Sequence, residues 1–255
     1  MKVFKFGGAS VKDAKGIENA VKIISSAKGN LVVVVSAMGK MTNLLEDIVT
    51  SYFKGIGYEG TYKNFKNYHD TIIMDLNLVA DSDFMMLYSQ IFVKMEMRLQ
   101  QEPSTHFDYE YDQIVCYGEL ASTVILSGYL NKLGIDNVWL DARKIIRTNA
   151  NFRDAKVDWE LTAALFKAKI GSLMNDSSSQ NICIIQGFIG HTETGQVTTL
   201  GREGSDFTAG IVAWCLDAED VTIWKDVEGV LNADPKRFPN TVKFEELDYK
   251  EAAEL

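Results

Sequence analysis

A lysine set just ahead of paired glycines, in KFGGAS (5–10), has the chemistry of an anion site. Val3, Phe4 and Phe6 alternate with lysines, which predicts a short strand. Gly7 and Gly8 then allow backbone angles and close approaches that a Cβ would forbid. Ile17, Ala20, Val21 and Ile24 recur at helical spacing, so a helix is expected to begin between Ser10 and Asp13. Strand, glycine turn and helix start together offer free N–H groups and a favourable dipole to a phosphate, and Lys5 adds a full positive charge. A tight β–α turn carrying a solvated lysine would read the same way.

Other stretches hold chemistry of a different kind. TLGREGSDFTAG (199–210) joins Arg202, whose planar fork suits a carboxylate, to Ser205 and Asp206 ahead of an apolar helix. Ser205 or Asp206 could simply cap that helix, although capping needs neither Arg202 nor the flanking glycines. Beside a phosphate, Asp206 could orient lysines or hold Mg²⁺. Glu119, in CYGELAST (116–123), interrupts an apolar helix and needs a partner, either a structural Arg or Lys or the ammonium of a ligand. WKDVEGVLNADPKRF (224–238) places Lys225, Asp226 and Lys236 after a strand, where a charged surface turn is the alternative. GIGYEG (55–60) matches a dinucleotide fingerprint, but it follows a helix where that fingerprint needs a strand. No Walker A pattern occurs.

These residues need a scaffold that gathers them. LVVVV (31–35) reads as a central parallel strand, apolar on both faces. NVWLDA (137–142), NICIIQGFIG (181–190), VTTLG (197–201) and DVTIW (220–224) are further strands. Helices are expected at LLEDIVTSYF, across a helical excursion from Tyr58 to about Glu102, from about Tyr109 to Lys132, at 158–170 and at FTAGIVAWCL. The alternation predicts an α/β fold with a mainly parallel central sheet and helices on both faces, an α/β/α sandwich. In such sheets ligands sit outside the carboxyl ends of the strands. FGGAS, SAMGKMTN, QGFIG, GREGSD and WKDVEG all follow strands and would converge there.

Composition narrows the partners. The 255 residues carry 26 Lys and Arg against 35 Asp and Glu, a net charge of −9, which argues against nucleic acid or an anionic membrane as the main partner. Cys116, Cys183 and Cys215 are odd in number and sit in apolar runs, so they read as free thiols of a reducing compartment. His69, His106 and His191 are isolated, and no metal-ligand spacing is present. No secretory leader or membrane-length apolar run is evident, and a cytoplasmic protein is expected.

Taken in order, KFGGAS, VVVVSAMGKMTN, GELAS, GFIG, TLGREGSDFTA and WKDVEGVLNADP resemble the aspartokinases of the amino-acid kinase family, and they span the chain. The resemblance implies ATP-dependent phosphorylation of the side-chain carboxylate of L-aspartate, with Mg²⁺, at the entry to lysine, threonine and methionine synthesis. By position it implies that Lys5, Phe6, Gly7 and Gly8 cradle the ATP phosphates and that Lys225, Asp226, Leu231 and Lys236 hold the nucleotide. Ser36, Thr42, Glu119, Arg202, Gly204 and Ser205 would hold aspartate, and Asp206 would organise the phosphoryl-transfer lysines. Ala9, Lys225, Leu231 and Lys236 depart from the family's usual threonine, threonine, tyrosine and arginine.

The same resemblance implies one catalytic domain over 1–255, with an aspartate lobe over about 1–195 and a nucleotide lobe over about 196–255. DYKEAAEL (248–255) opens an amphipathic helix striped by Tyr249, Ala252, Ala253 and Leu255 with no cap following. A catalytic fragment or naturally minimal form without ACT domains is therefore expected, with weakened ATP binding, low or no turnover, no lysine or threonine feedback, and self-association into a homo-oligomer. A kinase of the same fold acting on another carboxylate or carbamate is one alternative; a binding module without turnover is the other.

Overall fold

The computed structural model describes residues 1–174, 181–225, 227, 229–235 and 237–254. The chain divides into two compact units, Met1–Trp224 and Lys225–Leu255.

The first unit is built on five parallel strands: β1 (Lys2–Phe6), β2 (Leu31–Val35), β3 (Val138–Leu140), β4 (Ile182–Gln186) and β7 (Asp220–Trp224), in the order β3-β4-β2-β1-β7. β2 is central and every residue of it is buried, as its continuous β-branched run requires. The register aligns the strand ends: Phe6 pairs with both Val35 and Trp224, and Val35 pairs with Gln186. The segments after these strands therefore leave the sheet at one level.

Helices cover the sheet. α1 (Ala14–Ser26) packs on α6 (Tyr117–Lys132), which lies against β2, β3 and β4. α8 (Gly204–Leu216) packs on β1, β2 and β7 and carries α7 (Trp159–Met174). α3 (Glu59–Asp75) and α4 (Ser82–Leu99) form the helical excursion between α2 (Met41–Phe53) and α5 (Phe107–Val115), and GIGYEG runs from the turn that ends α2 into the start of α3.

Three expected elements differ in detail. The helix read from Tyr109 to Lys132 is two helices, α5 and α6. The hydrogen-bond ladder breaks at Cys116, which keeps helical dihedrals (φ −55, ψ −22), so the division lies in the ladder and not in the backbone. The strand read over 181–190 stops at Gln186. Phe188, at φ 71, turns the chain into β5 (Ile189–His191), which pairs antiparallel with β6 (Val197–Thr199). The helix after the glycines begins at Ala14, where Asp13 accepts from Gly16 N at 2.7 Å; Gly8–Val11 forms a separate 3-10 turn.

In the second unit Leu231 bridges Lys243 in antiparallel fashion, and α9 (Tyr249–Glu254) starts at Asp248, whose carboxylate accepts from the backbone N of Lys250 and Glu251. The stripe expected on that helix falls partly on Leu255 and on the side chains of Tyr249 and Ala253, which lie outside the described residues.

Candidate functional site

Lys5 points into the interior from β1, only 5% exposed. An ammonium that deep needs a counter-charge. Asp206 supplies it: Lys5 Nζ and Asp206 Oδ1 are 2.6 Å apart. This pairing also settles how GREGSD is used. The residue that precedes α8 is Glu203, left-handed at φ 56 and without a side-chain cap bond, so neither Ser205 nor Asp206 caps the helix. Both stand in its first turn, where Asp206 turns back to the strand.

Glu119 reaches the same region from the first turn of α6. Gly8 and Gly118 make that possible, because a Cβ on Gly8 would lie 2.5 Å from Ala37 O and one on Gly118 2.9 Å from Ala37 Cβ. Both backbones therefore close on the segment after β2, and Ala37 N donates to Glu119 Oε1 at 3.1 Å. The structural Arg or Lys that could have paired with Glu119 is not there among the described residues. Oε2 is buried with no hydrogen-bond partner, and burial pushes the carboxyl up to about 8 against the lowering effects of the Ala37 N–H and of Lys5. A buried polar oxygen left without a partner needs an explanation, and a ligand reaching it from the cavity is one.

A small polar network fixes α6. Thr123 Oγ1 donates to Glu119 O at 2.9 Å and accepts from Gln186 Nε2 at 2.7 Å and Trp139 Nε1 at 3.0 Å. Gln186 Oε1 in turn accepts from Ala142 N at 2.8 Å. The backbone that carries Glu119 is thus tied to β3 and β4.

One cavity of about 420 Å³ collects these groups. Of the residues singled out in the sequence, Lys5, Ser36, Thr42, Glu119, Arg202, Gly204, Ser205 and Asp206 all line it. It opens at the carboxyl ends of β1 and β2, where the topology predicts a ligand. Its wall mixes charges: Lys5 and Arg202 are cationic, Asp206 is anionic, and Glu119 is a carboxyl that burial keeps protonated until about pH 8.

The profile of the amino acid kinase family matches residues 1–255. The chain belongs to the amino acid kinase family. Among curated relatives it is 32% identical over 256 residues to lysine-sensitive aspartokinase 3 of Escherichia coli, covering 99% of this chain and 55% of that protein. It is 32% identical over 255 residues to the aspartokinase of Chlamydia muridarum, covering 99% and 54%. The chain thus spans about half the length of the curated relatives it matches. Among solved structures it is similar to E. coli aspartokinase III in complex with aspartate and ADP, with a TM-score of 0.89 and 30% identity over 100% of this chain and 55% of that one. Aspartate kinase of Clostridium acetobutylicum follows with a TM-score of 0.79 and 28% identity, covering 100% and 54%.

Within this family member, the remaining expected residues fall in different places. Phe6 is buried and stacks on Trp224, with ring centroids 6.3 Å apart. Gly7 N donates to Trp224 O at 3.3 Å, extending the sheet ladder by one bond. Lys225 and Leu231 belong to the second unit, and Asp226 and Lys236 lie outside the described residues. The cavity also includes residues that the sequence reading passed over: Tyr111, Arg153, Phe188, Thr199, Gly201 and Glu203. Phe188, Thr199, Gly201 and Glu203 stand inside the motifs GFIG and TLGREGSD and could have been taken with them. Tyr111 and Arg153 carry no such signal.

Proposed function

We infer that this amino acid kinase transfers the γ-phosphoryl group of ATP to the side-chain carboxylate of L-aspartate, giving 4-phospho-L-aspartate and ADP. One observation carries the reading. A buried carboxylate with a free oxygen, Glu119, shares a cavity with Arg202 and with the Lys5–Asp206 pair. That set complements a zwitterion with one further anionic arm: Glu119 for the ammonium, Arg202 for the α-carboxylate, and Lys5 beside the group in transfer. The similarity to an aspartokinase whose structure holds aspartate and ADP supports the same reading.

The chemistry asks little of the protein beyond position and charge. A carboxylate oxygen of aspartate attacks the γ-phosphorus while the bond to the bridging oxygen breaks, and ADP leaves with the electron pair. The acceptor, with an ordinary pKa of about 3.9, is already ionised, so no general base is needed. Two anions must nonetheless meet. Lys5, at the end of β1 before Gly7 and Gly8, is placed to offset their repulsion, and Asp206 holds its ammonium in line. Ser36, Thr42 and Ser205 line the same cavity and would give hydroxyl contacts to aspartate, while Gly204 lets α8 start against Phe188.

Mg²⁺ fits as a companion of the phosphates. Among the described residues no three His, Cys, Asp or Glu side chains cluster into a metal cage. The ion commonly needs only one or two carboxylates beside substrate phosphates, a donor that Asp206 can provide. When bound it would neutralise charge on the transferring group. On this reading the phosphates lie along the backbone of Phe6, Gly7 and Gly8, where the Gly7 N–H is already given to Trp224 O and so is not one of the free donors expected. Lys225, Asp226, Leu231 and Lys236 are the expected nucleotide contacts.

The buried free cysteines support a reducing, cytoplasmic setting, and no described helix is long and apolar enough to cross a membrane. The reading also takes residues 1–255 as one catalytic domain that self-associates. Titrating the protein with L-aspartate, L-glutamate, N-acetyl-L-glutamate and carbamate tests the substrate. Aspartate should bind best; tighter binding of any other acid would assign the site to that acid.

A further inference from the structure

Arg153 is an anomaly on the cavity wall. Its backbone is left-handed at φ 67, a region that costs an arginine and costs glycine nothing. Its guanidinium lies over the Tyr111 ring at 4.4 Å from the centroid, and both side chains line the cavity. Its ion pair with Asp108, at 3.2 Å, joins side chains 44% and 60% exposed, so water screens it and it contributes little. Glu203 is also left-handed and also lines the cavity, but its carboxylate at the start of α8 is favoured by the helix dipole. Arg153 stands at no helix start; its local contacts are the Tyr111 ring, the Phe107 ring at 5.9 Å and the screened Asp108 pair.

The fold goes to some length to hold this arginine beside the Arg202 loop. Asp112, buried on α5, accepts from Arg153 N at 3.0 Å and from Thr199 N and Oγ1 at 2.9 and 2.7 Å. Ala155 N donates to Thr199 O at 3.0 Å, and a Cβ on Gly201 would lie 3.3 Å from Arg153 O. The segment 153–155 therefore runs directly along 199–201, and two guanidinium-bearing loops share one buried carboxylate.

We propose that Arg153 is a specificity-determining residue of this site: it gives the acceptor's α-carboxylate a second guanidinium beside Arg202 and so favours acceptors that bear that group. The proposal rests on the reading of the cavity as an amino-acid acceptor site. A retained charge at a left-handed position, on a stacked and hydrogen-bonded mount at the cavity wall, is what a ligand contact needs. Asp112 acts as the positioning residue, fixing the distance between the two arginine loops.

The test uses calorimetric titration of wild type, Arg153→Gly and Arg153→Lys with L-aspartate and, separately, with ATP, alongside thermal melting. Glycine relieves the left-handed backbone, so Arg153→Gly should melt no lower than wild type yet bind aspartate about tenfold or more weakly, as loss of a charge-assisted contact implies. ATP affinity should be unchanged. Arg153→Lys keeps the charge without the fork and should fall between. Aspartate affinity within about twofold of wild type in Arg153→Gly would overturn the proposal. So would a parallel loss of aspartate affinity, ATP affinity and melting temperature in both variants, which marks a structural arginine. Absence of aspartate binding in the wild type would overturn the acceptor-site reading itself.

Discussion

Lys5 Nζ and Asp206 Oδ1 meet at 2.6 Å, joining the first strand to the first turn of α8. The side chains are 6% and 20% exposed, so the pair is largely withdrawn from water. Removing one partner of such a pair leaves an uncompensated charge. Lys5→Ala should therefore lower turnover by roughly 10² to 10³ through loss of transition-state charge stabilisation. Lys5→Ala/Asp206→Asn should recover fold stability without recovering turnover. Melting curves and steady-state rates for the single and double variants check this; wild-type rates in Lys5→Ala would remove Lys5 from the chemistry.

Glu119 makes binding pH-dependent. Its carboxyl stands raised to about 8 from an ordinary 4.5, mainly through burial. A raised carboxyl contributes stability that is fully present below about pH 4.5 and is lost as pH rises through about 8. Ligand binding has the opposite sign, because an ammonium needs the ionised form. Aspartate affinity should therefore fall by about tenfold for each unit of pH below that value, as one-proton linkage requires. Near pH 7 one proton should be released on binding. Glu119→Gln should bind weakly with no such slope. Calorimetry in buffers of different ionisation enthalpy reads the released proton, and a flat profile in the wild type would contradict the assignment.

Arg202→Lys keeps a charge but loses the planar fork. Apparent affinity for aspartate should drop before that for ATP, which parallel titrations will show. Equal, unchanged affinities would make Arg202 a structural residue of the α8 entrance.

Thr123→Val preserves shape and removes the hydroxyl that serves Glu119 O, Gln186 and Trp139. One buried donor and one partly buried donor lose their acceptor, so stability should fall by roughly 1 to 4 kcal/mol, measured by denaturant unfolding. A loss below about 0.5 kcal/mol would show that the network relaxes around the valine.

Much of this was legible in the residues. The β-branched run 31–35 could only be a doubly covered strand, and it is the buried centre of the sheet. Eight of the expected site residues converge because each stands at the end of a strand, follows one, or opens a helix at one end of the parallel sheet. What escaped is tertiary. Arg153 sits in NANFRDA, a loop with no period and no motif; its place depends on Asp112 and Thr199, far away in sequence. The turn at Phe188 depends on a left-handed phenylalanine, which no propensity favours. The state of Glu119 depends on burial, and apolar neighbours in sequence do not specify which partner burial denies it.

The most direct measurement of the central claim is trapping of the product. The protein is incubated with L-aspartate, ATP, Mg²⁺ and hydroxylamine, and hydroxamate and ADP are quantified together. The account predicts aspartate-dependent hydroxamate in equal amount to ADP, absent with L-asparagine and strongly reduced in Lys5→Ala. ADP released without hydroxamate, or hydroxamate formed more readily from another carboxylic acid, would contradict it.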